Sequence, residues 1–168
     1  SNDDLHNGKW TRYFGRRITN CAVGIIGAGR IGSKVIGHLQ ALGVDRILAT
    51  DIDPSVHSNF DTVVEWVDRE TIYQESDIIS VHVPLDHRTR GMIGRREMRL
   101  MKSDAILINA SRGGIVNEVD LAYVLKEGHL GGAAIDAFEM EPYVGELANI
   151  SRCLLTAHMG SMSLDCRE

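Results

Sequence analysis

The sequence is poor in cysteine, in long apolar runs and in clustered basic residues, and each shortage argues against a class of protein. Its three cysteines, Cys21, Cys153 and Cys166, are odd in number and lack the short spacings of zinc sites, so they predict neither a disulfide framework nor a metal centre. No apolar run approaches the roughly 18 residues of a membrane-spanning helix, and no basic segment leads into an apolar one as in a secretory signal. The net charge of −5, with scattered basic residues, argues against nucleic acid binding. We therefore expect a cytoplasmic protein with no membrane or nucleic acid partner.

What the sequence does contain is enough apolar material for one globular domain. Its 168 residues are 43% hydrophobic and 24% charged, a balance typical of a chain that buries a core. It has no internal repeat and no low-complexity stretch. Because the chain starts with serine and not with methionine, we interpret Ser1 and Asn2 as candidate tag residues and exclude them from the fold prediction.

The most informative motif is a glycine-rich turn near the start of the chain. The apolar run 21–26 leads directly into Gly27-Ala28-Gly29-Arg30-Ile31-Gly32. In a dinucleotide-binding turn, the first glycine makes the tight turn, the second lets backbone approach a pyrophosphate, and the third lets a helix pack closely on the strand. Such a hexapeptide also arises by chance, so its surroundings decide its meaning. The predicted cofactor contacts in this turn are Gly27, Gly29, Arg30, Ile31 and Gly32.

The residues after the turn support this interpretation. Apolar residues recur at helical spacing over residues 30–42, and a glycine then ends the predicted helix. An apolar strand over residues 47–50 leads into Asp51, which stands 19 residues after the last glycine of the turn. The acid that binds the adenosine ribose is expected about 20 residues on, and its charge repels a 2′-phosphate, which favours NAD over NADP. The alternative is that Asp51 or Asp53 serves only a solvated turn before Pro54.

Beyond this unit the chain keeps alternating apolar strands with helical segments. Strands are predicted over residues 63–66, 78–81, 105–108, 133–135 and 153–156. Helices are predicted over residues 68–75, 95–101 and 118–126, the last one capped by Asn117. Such alternation implies right-handed crossovers and an α/β fold of the Rossmann type, a doubly wound parallel sheet with helices on both faces. Ligands of such sheets bind beyond the carboxyl ends of the strands, so polar residues directly after apolar runs are the functional candidates.

Polar residues of three types follow the last three predicted strands. Residues 109–114 follow one strand and include Arg112. Residues 136–141 follow the next strand and include Glu141, and His158 follows the last one. A guanidinium binds a carboxylate through two parallel hydrogen bonds, an imidazole moves a proton near neutral pH, and a neighbouring glutamate would orient that imidazole. This combination at one edge of a sheet indicates catalysis.

At these residues the chain resembles the D-isomer-specific 2-hydroxyacid dehydrogenases, a family that includes D-lactate, D-glycerate and D-3-phosphoglycerate dehydrogenases. The resemblance covers nearly the whole chain and rests on four ordered motifs. They are the turn Gly27 to Gly32, the segment Ser76 to Leu85, the block Ile108 to Glu118 and the segment Asp136 to Pro142. The chain departs from the family at Ala157, where a proline usually precedes the catalytic histidine, but this change removes no functional group.

The resemblance implies a site as well as a fold. The implied catalytic residues are Arg112, Glu141 and His158. Asp136 would lie near the nicotinamide carboxamide of NAD, while Val83 and Pro84 would line the adenosine side. The remaining implied cofactor contacts are Ala110, Gly160 and Ser161.

The resemblance also implies a reaction, the transfer of hydride between NAD(H) and a D-2-hydroxy acid or its 2-oxo acid. His158 would move the hydroxyl proton, and Glu141 would stabilise the protonated imidazole. Arg112 would hold the substrate carboxylate in place. Formate dehydrogenases are similar, but they release no hydroxyl proton and usually carry glutamine in place of Glu141, so an alcohol substrate is favoured.

The family pattern further predicts what this chain leaves out. Family members have a substrate domain built from an N-terminal segment and a returning C-terminal helix, and we expect this domain to be absent. Residues 1–20 would then be a linker or helical lead-in, residues 21–160 the NAD-binding domain, and residues 161–168 the start of a truncated helix. Without the substrate domain, the chain should bind NAD but be inactive or weak alone. The resemblance also implies a homodimer.

A second class of function stays open at this stage. Transcriptional corepressors that resemble these dehydrogenases use the same fold as an NAD(H) sensor without catalysis. The presence of Arg112, Glu141 and His158 together favours the enzyme.

Overall fold

Seven strands form one sheet in the computed structural model, which describes residues 2–12, 14–60 and 63–162. In chain order they are β1 (Ala22–Ile26), β2 (Arg46–Thr50), β3 (Val64–Trp66), β4 (Ile78–Val81), β5 (Ile106–Asn109), β6 (Gly132–Ile135) and β7 (Cys153–Leu155). Across the sheet the order is β3-β2-β1-β4-β5-β6-β7, and all neighbouring pairs are parallel. The strand order reverses between β1 and β4, which confirms the predicted doubly wound topology.

One helix precedes the sheet, and four connect its strands close to where the sequence predicts them. They are α1 (Asn2–His6), α2 (Gly32–Ala41), α3 (Arg69–Glu75), α4 (Arg95–Leu100) and α5 (Glu118–Lys126). Side-chain caps fix two of the helix starts. Asp68 accepts a hydrogen bond from the N–H of Thr71 before α3, and Asn117 accepts one from the N–H of Asp120 before α5.

Three short 3₁₀ helices have no counterpart in the sequence prediction. They span Ile18–Asn20, Pro54–Asn59 and Glu146–Asn149. Each is too short for apolar residues to repeat along one face, so periodicity gives no signal for them. The first of these helices delays β1 by one residue relative to the prediction, and the helix expected from residue 30 begins at Gly32. Most of the predicted C-terminal helix, residues 163–168, lies outside the described residues.

Two apolar clusters hold the sheet between its helices. The larger cluster packs α3, α4 and α5 on one face and includes the buried Ile26 and Leu107. The smaller cluster packs α2 on the other face and includes the buried Ile25 and Ile36. Adjacent residues of β1 enter different clusters because successive side chains of a strand point to opposite faces. Burial of each such side chain contributes about 1.5–3 kcal/mol, so the carboxyl ends of β1 and β4 are firmly placed.

Helices pack on both faces of the sheet as predicted, but one face of its second half is uncovered in the described part of the chain. Ile108, Ala134 and Leu154 are register partners on this face, and Leu154 is 67% exposed. The connection between β6 and β7 contains only the 3₁₀ helix Glu146–Asn149, and its buried Leu147 packs in the cluster on the opposite face. This connection therefore supplies no helix to the exposed face.

Within residues 2–12, 14–60 and 63–162, no helix is long and apolar enough to cross a membrane. The same ranges contain no group of three or more His, Cys, Asp or Glu side chains that could hold a metal ion. Cys21 and Cys153 are free thiols, and Cys166 lies outside the described residues.

Candidate functional site

The glycine turn connects β1 to α2 at the centre of the sheet. Gly27 has a φ of +94°, which side chains other than glycine rarely adopt, and its N–H donates to the carbonyl oxygen of Thr50 (2.9 Å). A Cβ on Gly32 would overlap the carbonyl oxygen of Gly27, so only glycine lets α2 begin this close to the strand. Gly29 differs, because nothing lies within 4 Å of the position that its Cβ would take. The first and third glycines are thus required by the protein itself, whereas the second faces open space.

The turn leaves backbone donors free at the N-terminus of α2. The N–H groups of Gly29, Arg30 and Ile31 have no hydrogen-bond acceptor among the residues that the structure describes. Ile31 occupies the N-cap position and supplies no side-chain acceptor. Free N–H groups at the positive end of a helix dipole can bind an anion such as a pyrophosphate. The open space at Gly29 lets that anion come close to the backbone.

Asp51 follows the end of β2 beside this turn. One of its carboxylate oxygens accepts a hydrogen bond from the N–H of Ala28 (2.7 Å), and the other accepts one from the N–H of Asp53 (2.9 Å). An ionised carboxylate offers about four acceptor sites, so Asp51 can also accept hydrogen bonds from ribose hydroxyls. Asp53 instead caps the following 3₁₀ helix by accepting from the N–H of Ser55 (2.9 Å). Asp53 is therefore a turn residue, and Asp51 both braces the glycine turn and keeps acceptor capacity.

A groove of about 650 Å³ runs from the glycine turn along the carboxyl ends of β2 and β4. Its lining includes Gly27, Gly29, Asp51, Val83 and Pro84. The loop that carries Pro84 is fixed by Thr89, whose hydroxyl donates to the Pro84 carbonyl oxygen (2.6 Å). The groove lies at the point where the strand order reverses, the usual ligand site of such sheets.

His82 lines this groove next to the glycine turn. Its Nε2 lies 2.9 Å from the hydroxyl oxygen of Ser80. Burial lowers the pKa of His82 below its ordinary value, so the ring is neutral near pH 7. This imidazole therefore adds no positive charge to the groove.

Glu141 and His158 form a hydrogen-bonded pair beyond the ends of β6 and β7. Nδ1 of His158 lies 3.1 Å from both carboxylate oxygens of Glu141. The N–H of Phe138 also donates to this carboxylate (3.0 Å), and this bond and the imidazole hold the pKa of Glu141 below its ordinary value. Nε2 of His158 has no hydrogen-bond partner in the described part of the chain. The pair is thus an ionised carboxylate that orients an imidazole whose second nitrogen can exchange a proton.

Asp136 contacts the loop that carries His158. Its carboxylate accepts hydrogen bonds from the Thr156 hydroxyl (2.5 Å) and from the N–H of Met159 (2.8 Å). Burial alone would raise the pKa of Asp136, but these two donors and the N–H of Gly160 bring it below its ordinary value. The carbonyl oxygen of Asp136 also accepts from the N–H of His158 (2.8 Å). Asp136 therefore bonds the loop on both sides of the histidine.

Arg112 lies on the turn after β5, and the buried Asn109 fixes that turn. The Nδ2 of Asn109 donates to the carbonyl oxygen of Arg112 (2.9 Å), and its Oδ1 accepts from the Ser111 hydroxyl (2.7 Å). The Arg112 guanidinium is exposed and, among the described residues, donates only to the carbonyl oxygen of Ser111 (2.7 Å). It has no carboxylate partner in that part of the chain, which leaves it available for an anionic ligand.

The turn of Arg112 and the turn of Glu141 touch through Gly113. A Cβ on Gly113 would overlap the backbone of Phe138, so the two turns approach as closely as backbone allows. Glu118 supports the second turn from α5, because its carboxylate accepts from the N–H of Glu139 (2.7 Å). Burial raises the pKa of Glu118, and the nearby charges of Glu139 and Glu141 add to this rise. These contacts place the guanidinium turn beside the acid–base pair.

Comparison with known proteins identifies the chain at this point. Residues 1–160 match the family model described as D-isomer specific 2-hydroxyacid dehydrogenase, NAD binding domain. The chain belongs to this family. The cofactor of the 2-hydroxyacid dehydrogenase domain is NAD, as the family description and the NAD complexes among its structural neighbours state.

Several members of the 2-hydroxyacid dehydrogenase family are similar over nearly the whole chain. A glyoxylate reductase of Thermococcus litoralis is 37% identical over 98% of this chain and 52% of its own length. A hydroxypyruvate reductase of Thermotoga maritima is 33% identical over 98% of this chain and 54% of its own length. A solved D-lactate dehydrogenase with NAD⁺ from Lactobacillus jensenii gives a TM-score of 0.84 at 30% identity, covering 96% of this chain and 53% of that chain. The chain thus spans about half the length of the relatives it matches.

The cofactor contacts predicted for the 2-hydroxyacid dehydrogenase domain fall into two groups in the structure, and Glu141 and His158 line a separate space of about 680 Å³. Gly27, Gly29, Asp51, Val83 and Pro84 line the groove at the centre of the sheet, whereas Arg30, Ile31 and Gly32 of the turn do not line it. Ala110, Asp136 and Gly160 line a smaller depression of about 330 Å³ beside the uncovered sheet face. Ser161 is exposed just beyond it, and Arg112 lines neither space.

Sequence reasoning missed three residues that position this site. Asn109 holds the Arg112 turn, Thr156 donates to Asp136, and Gly113 permits the contact between the Arg112 and Glu141 turns. Asn109 is the last residue of β5 and Thr156 directly follows β7, so the position of both polar side chains at strand ends is the signal that points to them. The role of Gly113 depends on a contact between distant segments, which no local pattern reveals.

Proposed function

We propose that this chain is the NAD-binding half of an oxidoreductase that transfers hydride between NAD(H) and a D-2-hydroxy acid or its 2-oxo acid. The observation that carries the proposal is the pairing of Glu141 with His158, 3.1 Å from Nδ1 to both carboxylate oxygens. An alcohol–ketone interconversion needs a group that moves the hydroxyl proton, and Nε2 of His158 is such a group. Relatives named glyoxylate reductase and hydroxypyruvate reductase support a 2-oxo acid as the substrate class.

The residues of the chain fit NAD. Free N–H groups at Gly29, Arg30 and Ile31 would bind the pyrophosphate, and Asp51 would accept hydrogen bonds from the adenosine ribose. Val83 and Pro84 would pack on the adenosine side of the groove. The nicotinamide side would be formed by Ala110, Asp136, Gly160 and Ser161. When bound, the nicotinamide ring accepts or donates the hydride.

The catalytic residues would then divide the remaining work. Nε2 of His158 takes the hydroxyl proton when the hydroxy acid is oxidised and returns it when the oxo acid is reduced. Glu141 accepts the Nδ1–H and stabilises the imidazolium that forms. Arg112 binds the substrate carboxylate through two parallel hydrogen bonds and so orients the reacting carbon. Glu141 favours an alcohol substrate over formate, because formate oxidation releases no hydroxyl proton.

The proposed assembly is a homodimer in the cytoplasm. Two large aromatic side chains in the N-terminal segment, Trp10 and Phe14, are 79% and 103% exposed, which suits a surface that a second copy covers. The free thiols of Cys21 and Cys153 suit a reducing compartment. The chain alone should bind NAD(H) with little turnover, because closure of a second domain is what excludes water and completes such sites.

Cofactor binding is tested by a matched pair of glycine substitutions. Gly29→Ala and Gly37→Ala both place a Cβ in open space, so both variants should fold. We expect NADH fluorescence titration to give the wild-type affinity for Gly37→Ala and about tenfold weaker binding for Gly29→Ala, since only the second Cβ blocks the approach of the pyrophosphate. Wild-type affinity in Gly29→Ala would contradict this use of the turn.

Catalysis is tested in a protein that joins this chain to the second half found in its relatives. We expect that protein to reduce a 2-oxo acid such as glyoxylate, hydroxypyruvate or pyruvate, and His158→Gln to lower kcat by about 10²–10⁴-fold with NADH affinity retained. The His158→Gln variant keeps a polar side chain but cannot exchange a proton near neutral pH. A joined protein that binds NADH and reduces none of these acids would refute the enzyme and leave a binding module.

A further inference from the structure

We propose that Asp136 is a positioning residue that holds the His158 loop so that the imidazole faces Glu141. The inference rests on the proposed function in one respect, the acid–base role of His158. Asp136 would hold the loop before any cofactor binds, so this role differs from a contact between Asp136 and the nicotinamide.

The contacts of Asp136 span the whole loop from β7 to Gly160. Its carboxylate accepts hydrogen bonds from the Thr156 hydroxyl (2.5 Å), two residues before the histidine, and from the N–H of Met159 (2.8 Å), one residue after it. Its carbonyl oxygen accepts from the N–H of His158 itself (2.8 Å). Hydrogen bonds to an ionised acceptor are the stronger ones, so the carboxylate holds the loop more firmly than neutral partners would.

The loop needs such a hold because its own backbone does not favour the observed conformation. His158 has a φ of +53°, in the left-handed region that residues with a side chain seldom adopt. The residue before it, Ala157, is exposed and lacks the ring that fixes φ in proline. The hydrogen bonds on both sides of His158 therefore select this conformation from several that the free loop would sample.

The geometry of the acid–base pair depends on that selection. The nitrogen of His158 that faces Glu141, Nδ1, must be the protonated one, because an ionised carboxylate only accepts hydrogen bonds. Glu141 is itself held by the N–H of Phe138 (3.0 Å), two residues after Asp136 in the chain. Asp136 thus links the end of β6, which leads to Glu141, with the loop that carries His158. Loss of its charge should release the imidazole and leave Glu141 in place.

The test uses the cofactor-free chain and compares Asp136→Asn with Asp68→Asn. Both substitutions neutralise a carboxylate that accepts a backbone N–H, but Asp68 caps α3 far along the chain from this loop. In Asp136→Asn we expect amide hydrogen exchange at Met159 to become about tenfold faster. We also expect the ¹⁵N signals of the His158 ring to change from one Nδ1–H form to a mixture of tautomers. Asp68→Asn should show neither change.

A second pair of variants covers the case in which Asp136→Asn fails to fold. Thr156→Val removes the hydroxyl donor at nearly constant volume, and Thr156→Ser keeps it. We expect Thr156→Val to shift the His158 ring signals in the same direction as Asp136→Asn, and Thr156→Ser to restore them.

Two results would overturn the positioning role. One is an unchanged His158 ring spectrum in Asp136→Asn and Thr156→Val. The other is weaker NADH binding by Asp136→Asn with the cofactor-free spectra unchanged, which would make Asp136 a cofactor contact only. Because the spectra are recorded without NAD or substrate, either outcome is independent of whether the chain belongs to an active enzyme.

Discussion

The glycine turn after β1 and the His158 loop after β7 lie at the same edge of one sheet, but different contacts hold them. In the turn, backbone atoms approach so closely that a Cβ on Gly32 would overlap the carbonyl oxygen of Gly27. In the loop, two carboxylates act as hydrogen-bond acceptors, Glu141 for the imidazole of His158 and Asp136 for the backbone around it. Steric exclusion fixes the first region, and charge fixes the second.

This difference matches the work proposed for each region. A pyrophosphate needs backbone donors at fixed positions, and a turn without room for side chains supplies them at any pH where the fold is stable. A proton-transfer group must change its charge during each cycle, so the contacts that orient it have to tolerate and stabilise that change. We therefore expect the turn to respond to added volume and the loop to respond to lost charge.

The largest effect should come from Gly32→Ala. The added Cβ would overlap the Gly27 carbonyl oxygen, so α2 has to move away from β1. We expect a loss of about 3 kcal/mol in the free energy of unfolding and no measurable NADH binding. Urea denaturation and NADH titration measure the two effects.

The control for Gly32→Ala lies one turn further along α2. Gly37 is exposed, and nothing lies within 4 Å of its Cβ position, so Gly37→Ala should stabilise the helix by about 0.5–1 kcal/mol. If both substitutions had the same sign of effect, the steric account of the turn would be wrong.

Gly113→Ala tests whether the region around Glu141 and His158 also depends on close backbone contact. Its Cβ would overlap the backbone of Phe138 and force the Arg112 turn away from the Glu141 turn. We expect a cost of about 1–3 kcal/mol in the free energy of unfolding and altered ¹⁵N signals of His158, with NADH affinity within a few-fold of wild type. Weaker NADH binding equal to that of Gly32→Ala would remove the distinction between the two regions.

The sequence is sufficient to predict the part of the molecule that depends on local chemistry. The apolar strands, the cap at Asn117 and the spaced glycines are all readable in short windows, and the fold that they predict is the observed one. The uncovered sheet face around Leu154 cannot be predicted from short windows of sequence. Strand periodicity indicates that a side chain is buried, but it does not show which helix covers it.

The same distinction applies to the candidate site, where local spacing predicts some residues and contacts between distant segments position others. The position of Asp51 follows from its spacing after the glycine turn, and the family resemblance implies the pairing of Glu141 with His158. The bonds from Thr156 and Met159 to Asp136 join segments about twenty residues apart, and a single sequence contains no signal for such contacts.

Asp51→Asn should have an intermediate effect, because Asp51 belongs to the turn but acts through charge. Its carboxylate accepts from the N–H groups of Ala28 and Asp53, and an amide keeps only one of its two acceptor oxygens. We expect NADH to bind about tenfold more weakly and NADPH to be less strongly rejected, since the charge that repels a 2′-phosphate is gone. Fluorescence titration with both cofactors measures the ratio.

The control for Asp51→Asn is Asp53→Asn, which changes a neighbouring acid that serves as a cap. This variant should keep the wild-type preference between NADH and NADPH, because an asparagine caps almost as well as an aspartate. A preference that is unchanged in Asp51→Asn would mean that another group discriminates the two cofactors.

The smallest expected effect is a dependence of stability on pH inside the region that steric exclusion fixes, and it comes from His82. Burial lowers the pKa of His82 below the 6.5 of an unfolded chain, so the unfolded state takes up a proton first as the pH falls. The stability linked to the neutral ring is therefore fully present above about pH 6.5 and is lost as the pH falls through the lower folded pKa.

We expect His82→Gln, which cannot be protonated, to lose less stability than wild type between about pH 7 and pH 5 in urea denaturation. The exposed His87 provides the control, since His87→Gln should follow the wild-type curve. Parallel curves for wild type and His82→Gln would show that the ring is solvated in solution and that the turn contains no titrating group in this range.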